Sequence, residues 1–240
     1  EPFIPPVVLT LPDGCKVRVY GKIDRVDVYK QGDVSYVRVI DYKTGAREFR
    51  LSDVIEGINV QMLLYLFTIW QNGSVRYGKV APAGVLYLPA KLPVVQVQRD
   101  ADEQTVERER IKMLRMNGLL IDNAEIVEAM EASAAGIFIP AKTDANGGFK
   151  RGSDIASLEQ FGLLKKKMEH LLIDMASTLR SGDIAALPAT GQVDACRWCE
   201  FRPVCGHEPY DPVRYIAKRD DADILKELEN GGQHAQAKMD

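Results

Sequence analysis

The sequence predicts a mixed α/β fold, and three observations lead to this prediction. Two neighbouring segments alternate apolar and polar residues on either side of a Gly-Asp turn, which is typical of an antiparallel hairpin. The next segment repeats apolar residues every three or four positions, as a helix does. A short apolar run over 83–88 then indicates a buried strand. Strand, strand, helix and strand in this order predict a mixed central sheet flanked by helices, with a right-handed crossover.

The predicted hairpin joins a strand over 17–28 to a strand over 35–45. The Gly-Asp pair at 32–33 is a favoured two-residue turn. If the chain folds about this pair, opposed residues have numbers that sum to 65. Asp24 then lies opposite Asp41, and the register depends on which face of the hairpin is buried.

One face of the hairpin carries two acids and a lysine. Lys43 shares the face of Asp41 because side chains alternate along a strand, and opposed Cβ atoms lie about 5 Å apart. Carboxylates that close, as Asp24 and Asp41 would be, repel each other unless a cation lies between them. The same face carries four valines, Val26, Val28, Val37 and Val39. Arg25 and Asp27 fall on the other face and are predicted to be solvated. The pattern leaves open a solvated sheet face and a metal-dependent hydrolase site.

The predicted helix begins near Ser52, a candidate N-cap, and ends at the Asn-Gly pair at 72–73. Gln61 and Tyr65 are four residues apart, so they lie one above the other on one face. This polar pair is either the solvated side of an apolar helix or a pair of hydrogen-bonding groups directed at a substrate backbone.

Three motifs therefore follow one another: Gly21-Lys-Ile-Asp24-Arg-Val-Asp27, Val39-Ile-Asp41-Tyr-Lys43-Thr-Gly45 and Gln61-Met-Leu-Leu-Tyr65. In order and approximate spacing they resemble the three consecutive motifs of RecB-type nucleases, which belong to the PD-(D/E)XK superfamily. The resemblance implies a restriction-endonuclease-like core, a mixed sheet flanked by helices, with helical insertions. It also implies hydrolysis of phosphodiesters in DNA that depends on Mg²⁺ or Mn²⁺.

By this resemblance, the residues that carry out the reaction are Asp24, Asp41, Lys43, Gln61 and Tyr65. Asp24 and Asp41 would hold the metal together with the backbone carbonyl of Tyr42, since Mg²⁺ prefers oxygen ligands. Lys43 would orient the attacking water or stabilise charge on the phosphate. The pair on the helix would position the scissile strand by hydrogen bonds.

Three of the four cysteines lie close together near the end of the chain, at Cys196, Cys199 and Cys205. Cys15 stands alone at a Pro-Asp-Gly turn. The sequence has no signal pattern, no apolar run of membrane-spanning length and no even ladder of cysteines, which predicts a reducing, cytoplasmic compartment without disulfides. The C-x2-C-x5-C spacing indicates a metal or iron–sulfur site. Zinc with His207 as a fourth ligand, or free thiols, are the alternatives.

The cysteine pattern is similar to the end of the AddB (RexB-like) subunit of bacterial helicase–nucleases, and the similarity extends to 112–120 and 182–188. It implies a [4Fe–4S] cluster on Cys196, Cys199 and Cys205 plus an upstream cysteine. That upstream ligand has no counterpart here, so the cluster is expected to be absent or labile. The resemblance further implies an exonuclease acting on single-stranded DNA in double-strand break repair and recombination, with an AddA-like helicase partner.

Two other interpretations stay open, a non-catalytic module that binds DNA or a partner, and a CRISPR-associated RecB-like nuclease. The non-Met, Pro-rich start predicts a piece of a larger polypeptide. Its 240 residues, 46% of them hydrophobic, predict a nuclease domain over 1–210 and an extension over 211–240. The predicted parts of that domain are a core over about 7–90, an insertion over about 99–150 that lies on the surface from 117, a long helix over about 153–181 and a cysteine knuckle over 191–208.

The charge of the chain limits how it can bind nucleic acid. The formal net charge is −3, which disfavours a broad basic surface for DNA. DNA contacts would then depend on local cations or on other subunits. No Walker-type glycine-lysine motif is present in the sequence, so an ATP-driven motor would lie outside these 240 residues.

Overall fold

The computed structural model describes residues 4–45, 48–91 and 94–236, with side chains as far as residue 231. The strands in this part of the chain are β1 (Val7–Thr10), β2 (Lys16–Val19), β3 (Arg25–Gln31), β4 (Val34–Lys43), β5 (Lys79–Pro89), β6 (Asn117–Ile121), β7 (Ile155–Ala156), β8 (Ala189–Gly191) and β9 (Arg214–Ile216). The helices are α1 (Leu51–Val54), α2 (Gln61–Asn72), α3 (Ser74–Tyr77), α4 (Glu103–Met113), α5 (Ala124–Glu128), α6 (Leu158–Ser181), α7 (Arg202–Cys205) and α8 (Asp221–Gln236).

The chain divides into two compact units. The first unit comprises residues 1–8, 18–49 and 61–165, and the second comprises 9–17, 50–60 and 166–240. The division differs in kind from the predicted domain at 1–210 with an extension at 211–240, because the second unit also draws on two early segments. The predicted domain boundary itself stays a prediction.

The first unit contains a five-stranded mixed sheet in the order β3-β4-β5-β6-β7. β3 and β4 are antiparallel, and β4 and β5 are parallel, so the connection between the latter crosses over through α2. Helix α2 packs against β4 and β5. A second apolar cluster joins Ile40, Leu86 and Leu120 of the sheet to Val127 of α5. The predicted α/β class, a mixed sheet flanked by helices, is confirmed.

The hairpin has the predicted register. Val26 is opposed to Val39 and Val28 to Val37, so opposed residue numbers sum to 65. The turn at 32–33 is closed by Gly32, whose φ of +57° is a conformation that favours glycine. Val37 and Val39 are fully buried whereas Val28 stays partly exposed. The single strand predicted over 17–28 is instead two strands, β2 and β3, with residues 20–24 between them.

The single helix predicted from Ser52 to Asn72 is interrupted. α1 ends at Val54 and α2 begins at Gln61. Gly57 and Asn59 both have positive φ, at +81° and +56°, which no helix tolerates. Ser52 is not an N-cap, because it is buried within α1.

The predicted surface insertion over 117–150 is wrong for its first part and for several later residues. β6 (Asn117–Ile121) is a strand of the central sheet, paired antiparallel with β5. Ile139 and Ala141 are buried in the cluster that contains Ile40. This part of the chain therefore completes the core of the first unit, because the sheet would otherwise expose an edge at β5.

In the second unit, β8 and β9 form a short parallel pair on either side of the cysteine segment. The predicted helical end of the chain is confirmed as α8, whose Ile224 and Leu225 are buried. The backbone N–H of Leu51 in α1 donates to the Asp221 carboxylate at 3.1 Å. The final segment therefore packs as part of this unit.

Candidate active site

The two predicted acids lie at the end of the β3–β4 hairpin. Asp24 directly precedes β3, and continuing the register from Arg25 and Ile40 by one residue places it opposite Asp41. Asp24 is exposed, and its Oδ2 accepts a hydrogen bond from the Tyr42 backbone N–H at 3.2 Å. Asp41 is buried, with 7% of its surface exposed. The hairpin therefore brings the Asp24 carboxylate to the peptide between Asp41 and Tyr42.

The predicted lysine lies against the buried acid. Lys43 Nζ is 2.5 Å from Asp41 Oδ2 and 5.1 Å from the centre of the Tyr87 ring. Tyr87 is opposed to Asp41 in the β4–β5 ladder, and its ring is 6.4 Å from that of Phe49. The ammonium group is thus held between a carboxylate and an aromatic face. Sequence reasoning missed Tyr87, although it stands as the one polar-tipped residue in the apolar run 83–88.

The helix pair forms the predicted contact. Gln61 Nε2 donates to Tyr65 Oη at 2.9 Å, across one turn of α2. A Cβ placed on Gly21 would lie 2.3 Å from Tyr65 Cε1. The tyrosine ring therefore packs on bare backbone three residues before Asp24. This close approach links α2 to the acid-bearing hairpin, and it explains why glycine occupies position 21 of the first motif.

The other face of the hairpin is not simply solvated, as Arg25 and Asp27 were predicted to be. Asp27 accepts from Arg25 Nε at 2.7 Å and from Arg38 Nη2 at 2.5 Å. Burial alone would raise the pKa of Asp27, but the hydrogen bonds from Arg25 and then Arg38 outweigh it and lower that pKa. The hydrogen bond to Asp27, followed by one to the Tyr42 hydroxyl, raises the pKa of Arg25. The side chain of Tyr42 is thus used on this face, so only its backbone faces the acids.

Comparison with known protein families agrees with this geometry. The family model described as the PD-(D/E)XK nuclease superfamily matches residues 2–206. The chain belongs to the PD-(D/E)XK nuclease superfamily. The match covers all three motifs and the central sheet of this PD-(D/E)XK protein, and it ends within the cysteine segment.

Relatives of this PD-(D/E)XK chain share one name. It is 35% identical over 207 residues to the ATP-dependent helicase/deoxyribonuclease subunit of this type from Thermoanaerobacter sp. (strain X514), which covers 85% of the chain and 18% of the relative. It is 33% identical over 235 residues to the protein of the same name from Clostridium kluyveri, covering 94% and 20%. For Bacillus anthracis the values are 34% over 209 residues, 84% and 18%. The chain therefore spans about a fifth of the length of these curated relatives.

The acids of this PD-(D/E)XK chain fit a hard divalent cation. Asp41 Oδ2 is buried and accepts no well-directed hydrogen bond from the described residues, although the Lys43 ammonium lies beside it. A buried carboxylate oxygen with unused acceptor capacity is costly unless a cation balances it. The available donors are two carboxylates and a backbone carbonyl, all oxygen, which is the donor set of Mg²⁺ and Mn²⁺.

The cysteines do not form such a site as they are arranged. Cys199 and Cys205 are exposed and Cys196 is half-buried. In the segments that the structure describes, no three His, Cys, Asp or Glu side chains are grouped so as to hold a metal ion. Cys15 lies in the turn between β1 and β2 as predicted, with its N–H donating to Asp13 at 2.9 Å. The iron–sulfur assignment of the three clustered cysteines stays a prediction.

No described helix is both long and apolar enough to cross a membrane. The cytoplasmic location stays a prediction from the sequence.

Proposed function

We propose that this chain is the metal-dependent deoxyribonuclease domain of a helicase–nuclease subunit. The observation that supports it is the arrangement of Asp24, Asp41 and Lys43 at one end of the hairpin, beside a helix that carries Gln61 and Tyr65. Relatives named as subunits of a helicase/deoxyribonuclease cover most of the chain. A merely solvated sheet face does not account for a buried acid with an ammonium 2.5 Å away.

Each side chain has a distinct part in the proposed reaction. Asp24 and Asp41, with the Tyr42 carbonyl, would hold Mg²⁺ or Mn²⁺, which when bound supplies an acidified water and a Lewis acid for phosphodiester hydrolysis. Lys43 contributes a fixed positive charge where negative charge grows on the phosphate. The position of that charge is set by the Tyr87 ring, 5.1 Å from Nζ.

The helix pair orients the strand. Tyr65 Oη accepts from Gln61 Nε2, so its own proton remains to be donated to an oxygen of the DNA backbone. Holding the phosphate in one orientation lowers the entropic part of the barrier. Gln61 fixes the direction of that donor rather than contacting the reacting atoms through its own bond to Tyr65.

The setting of this activity is a further part of the proposal. The relatives are named as subunits of an ATP-dependent helicase/deoxyribonuclease. By that name and by the resemblance to AddB-like subunits, the chain would act on single-stranded DNA released by an AddA-like helicase partner during repair of double-strand breaks. An iron–sulfur cluster on the three clustered cysteines belongs to this setting and takes no part in the chemistry proposed above.

The test is degradation of an end-labelled single-stranded oligonucleotide with Mg²⁺, Mn²⁺ or EDTA, using Asp41→Asn. We expect activity with either metal and none with EDTA. The substitution should lower kcat/KM by more than about 100-fold, since loss of an outer-shell partner of a metal ligand alone costs about 10- to 100-fold. The thermal midpoint should change little, because the amide keeps the shape of the carboxylate.

Asp33→Asn is the matched control, since Asp33 is an exposed acid in the turn of the same hairpin. It should leave activity unchanged. Full activity of Asp41→Asn would refute the metal site. Absence of activity in the unsubstituted chain with both metals would favour a non-catalytic binding module instead.

A further inference from the structure

A cavity of about 360 Å³ lies beside the candidate active site, within the first unit. One wall is made by residues 19–23, which lead directly into Asp24. The opposite wall is the face of α2 that carries Leu64, Tyr65 and Thr68. The proposed phosphate-orienting tyrosine is therefore a shared wall of the cavity and of the site. The volume is in the range of pockets that bind small organic molecules.

The chemistry of the lining is divided between an apolar interior and a charged rim. Most lining side chains are aliphatic, and three are tyrosines, Tyr20, Tyr65 and Tyr77. Lys22 and Arg76 are exposed at the rim. The Arg76 guanidinium lies over the Tyr77 ring at 5.5 Å, so that one face of this ring is already covered. Tyr20 is 63% exposed and presents an aromatic surface.

Such a lining suits a flat aromatic group attached to a phosphate. The interior accepts an apolar ring face, and the rim carries the positive charge that a neighbouring phosphate requires. Rise along an extended strand is about 3.4 Å per residue, so Tyr20 and Asp24 are separated by no more than one or two nucleotides of a bound strand. A base paired in a duplex has both faces stacked and cannot enter.

The polar groups of the cavity are mostly engaged. The Thr68 hydroxyl donates to the Leu64 carbonyl at 2.7 Å, and the Tyr77 carbonyl accepts from Ser35 at 2.7 Å. These groups offer little with which to distinguish one base edge from another. Stacking on an aromatic ring is tolerant of base identity. The cavity would therefore recognise that a base is unpaired, and not which base it is.

We infer that this cavity binds the base of an unpaired nucleotide adjacent to the scissile phosphate, with Tyr20 as the stacking residue. The inference rests on the proposed nuclease function and adds a subsite to it. It makes single-strandedness a property read by the nuclease domain itself, through insertion of a base beside Tyr65.

The experiment measures binding and cleavage separately on the 240-residue chain and on any longer polypeptide that contains it. Binding of labelled single-stranded and duplex oligonucleotides is followed by fluorescence anisotropy in EDTA. Variants are Tyr20→Ala, which removes the ring, and Thr68→Trp, which fills the cavity. Tyr29→Ala is the matched control, because Tyr29 lies on the other face of the hairpin and hydrogen-bonds to Glu125.

We expect Tyr20→Ala and Thr68→Trp to weaken binding of the single strand by about 5- to 100-fold, the range of one lost base–aromatic stack. Duplex binding and the Tyr29→Ala variant should not change. A single abasic site stepped along the strand should weaken binding by the same factor at one position next to the cleavage site. That position should lose its effect in Tyr20→Ala, because the base then has no partner to lose.

Equal losses for single strand and duplex would overturn the inference, since Tyr20 would then contact only the backbone. So would the absence of a sensitive abasic position in a chain that cleaves, which leaves the proposed function intact. Failure of cleavage with a normal abasic profile would instead refute the proposed function and keep the subsite. If Thr68→Trp lowers the thermal midpoint strongly, the exposed Tyr20→Ala alone decides.

Discussion

Gly21→Ala tests whether the glycine of the first motif acts through Tyr65. The added Cβ would lie 2.3 Å from Tyr65 Cε1 and 3.1 Å from both Cζ and Oη, where ordinary contact begins at 3.4 Å. The ring must therefore move by about 1 Å, or the backbone must move and take Asp24 with it, three residues away. Either shift also disturbs the 2.9 Å hydrogen bond from Gln61.

The expected loss is larger in activity than in stability. A displacement of about 1 Å in a positioning group costs up to about 100-fold in rate, so kcat/KM should fall by about 10- to 100-fold. Overpacking costs about 1–3 kcal/mol, and the reduced freedom of the unfolded chain offsets about 0.4–1 kcal/mol of it. The thermal midpoint should fall by no more than about 10 °C, since 1 kcal/mol corresponds to about 2–4 °C at this size.

The assay is oligonucleotide degradation with Mn²⁺ together with thermal unfolding, for Gly21→Ala, Tyr65→Ala and the double variant. If the glycine acts through the ring, the double variant should lose no more activity than Tyr65→Ala alone. Gly162→Ala in α6 is the matched control, because no atom lies within 4 Å of its added Cβ. Multiplicative losses in the double variant, or wild-type activity in Gly21→Ala, would refute the positioning role.

Two further substitutions separate chemistry from structure. Lys43→Ala should lose most turnover yet bind Mn²⁺ in calorimetric titration nearly as well as the wild type, because the carboxylates hold the ion; a loss of affinity as large as that of Asp24→Ala would contradict this. Asp27→Asn should lower the free energy of unfolding at pH 7 by about 1–2 kcal/mol, less than for a fully buried pair, because the Asp27 side chain is 26% exposed beside Arg38. Since folding lowers the pKa of Asp27, its contribution is present above the unfolded pKa of about 3.9 and is lost as the pH falls through the folded pKa. Denaturant titrations at pH 7 and pH 3 should therefore show a difference between the two proteins that shrinks at pH 3, and an equal difference at both would exclude the ion pair as its cause.

The parts of the fold that could be predicted are those fixed by local alternation and turn chemistry. The hairpin register follows from valines that must share one buried face and from a glycine at the turn, so Asp24 and Asp41 could be opposed correctly. The Gln61–Tyr65 contact follows from helical spacing alone. These relations need only neighbours in sequence, which is why they are visible there.

The parts that were missed depend on contacts between distant segments. The apolar period from Val54 to Met62 suits a helix, but positive φ at Gly57 and Asn59 breaks it, and periodicity carries no information on φ. β6 is a five-residue run whose place in the sheet is set by pairing with β5. Tyr87 meets Lys43 only because parallel pairing opposes it to Asp41.

The division of the chain into two units has a consequence for the order in which the protein can fold during synthesis. The second unit takes residues 50–60 from between β4 and α2, yet most of it is supplied by the last part of the chain, residues 166–240. The Leu51 N–H is bound by Asp221, and Asp53 accepts from Gln192 at 3.0 Å. On a ribosome, the connection between the strand with Lys43 and the helix with Gln61 therefore waits for partners that emerge last. A nascent or prematurely ended chain holds both catalytic segments without a fixed link between them.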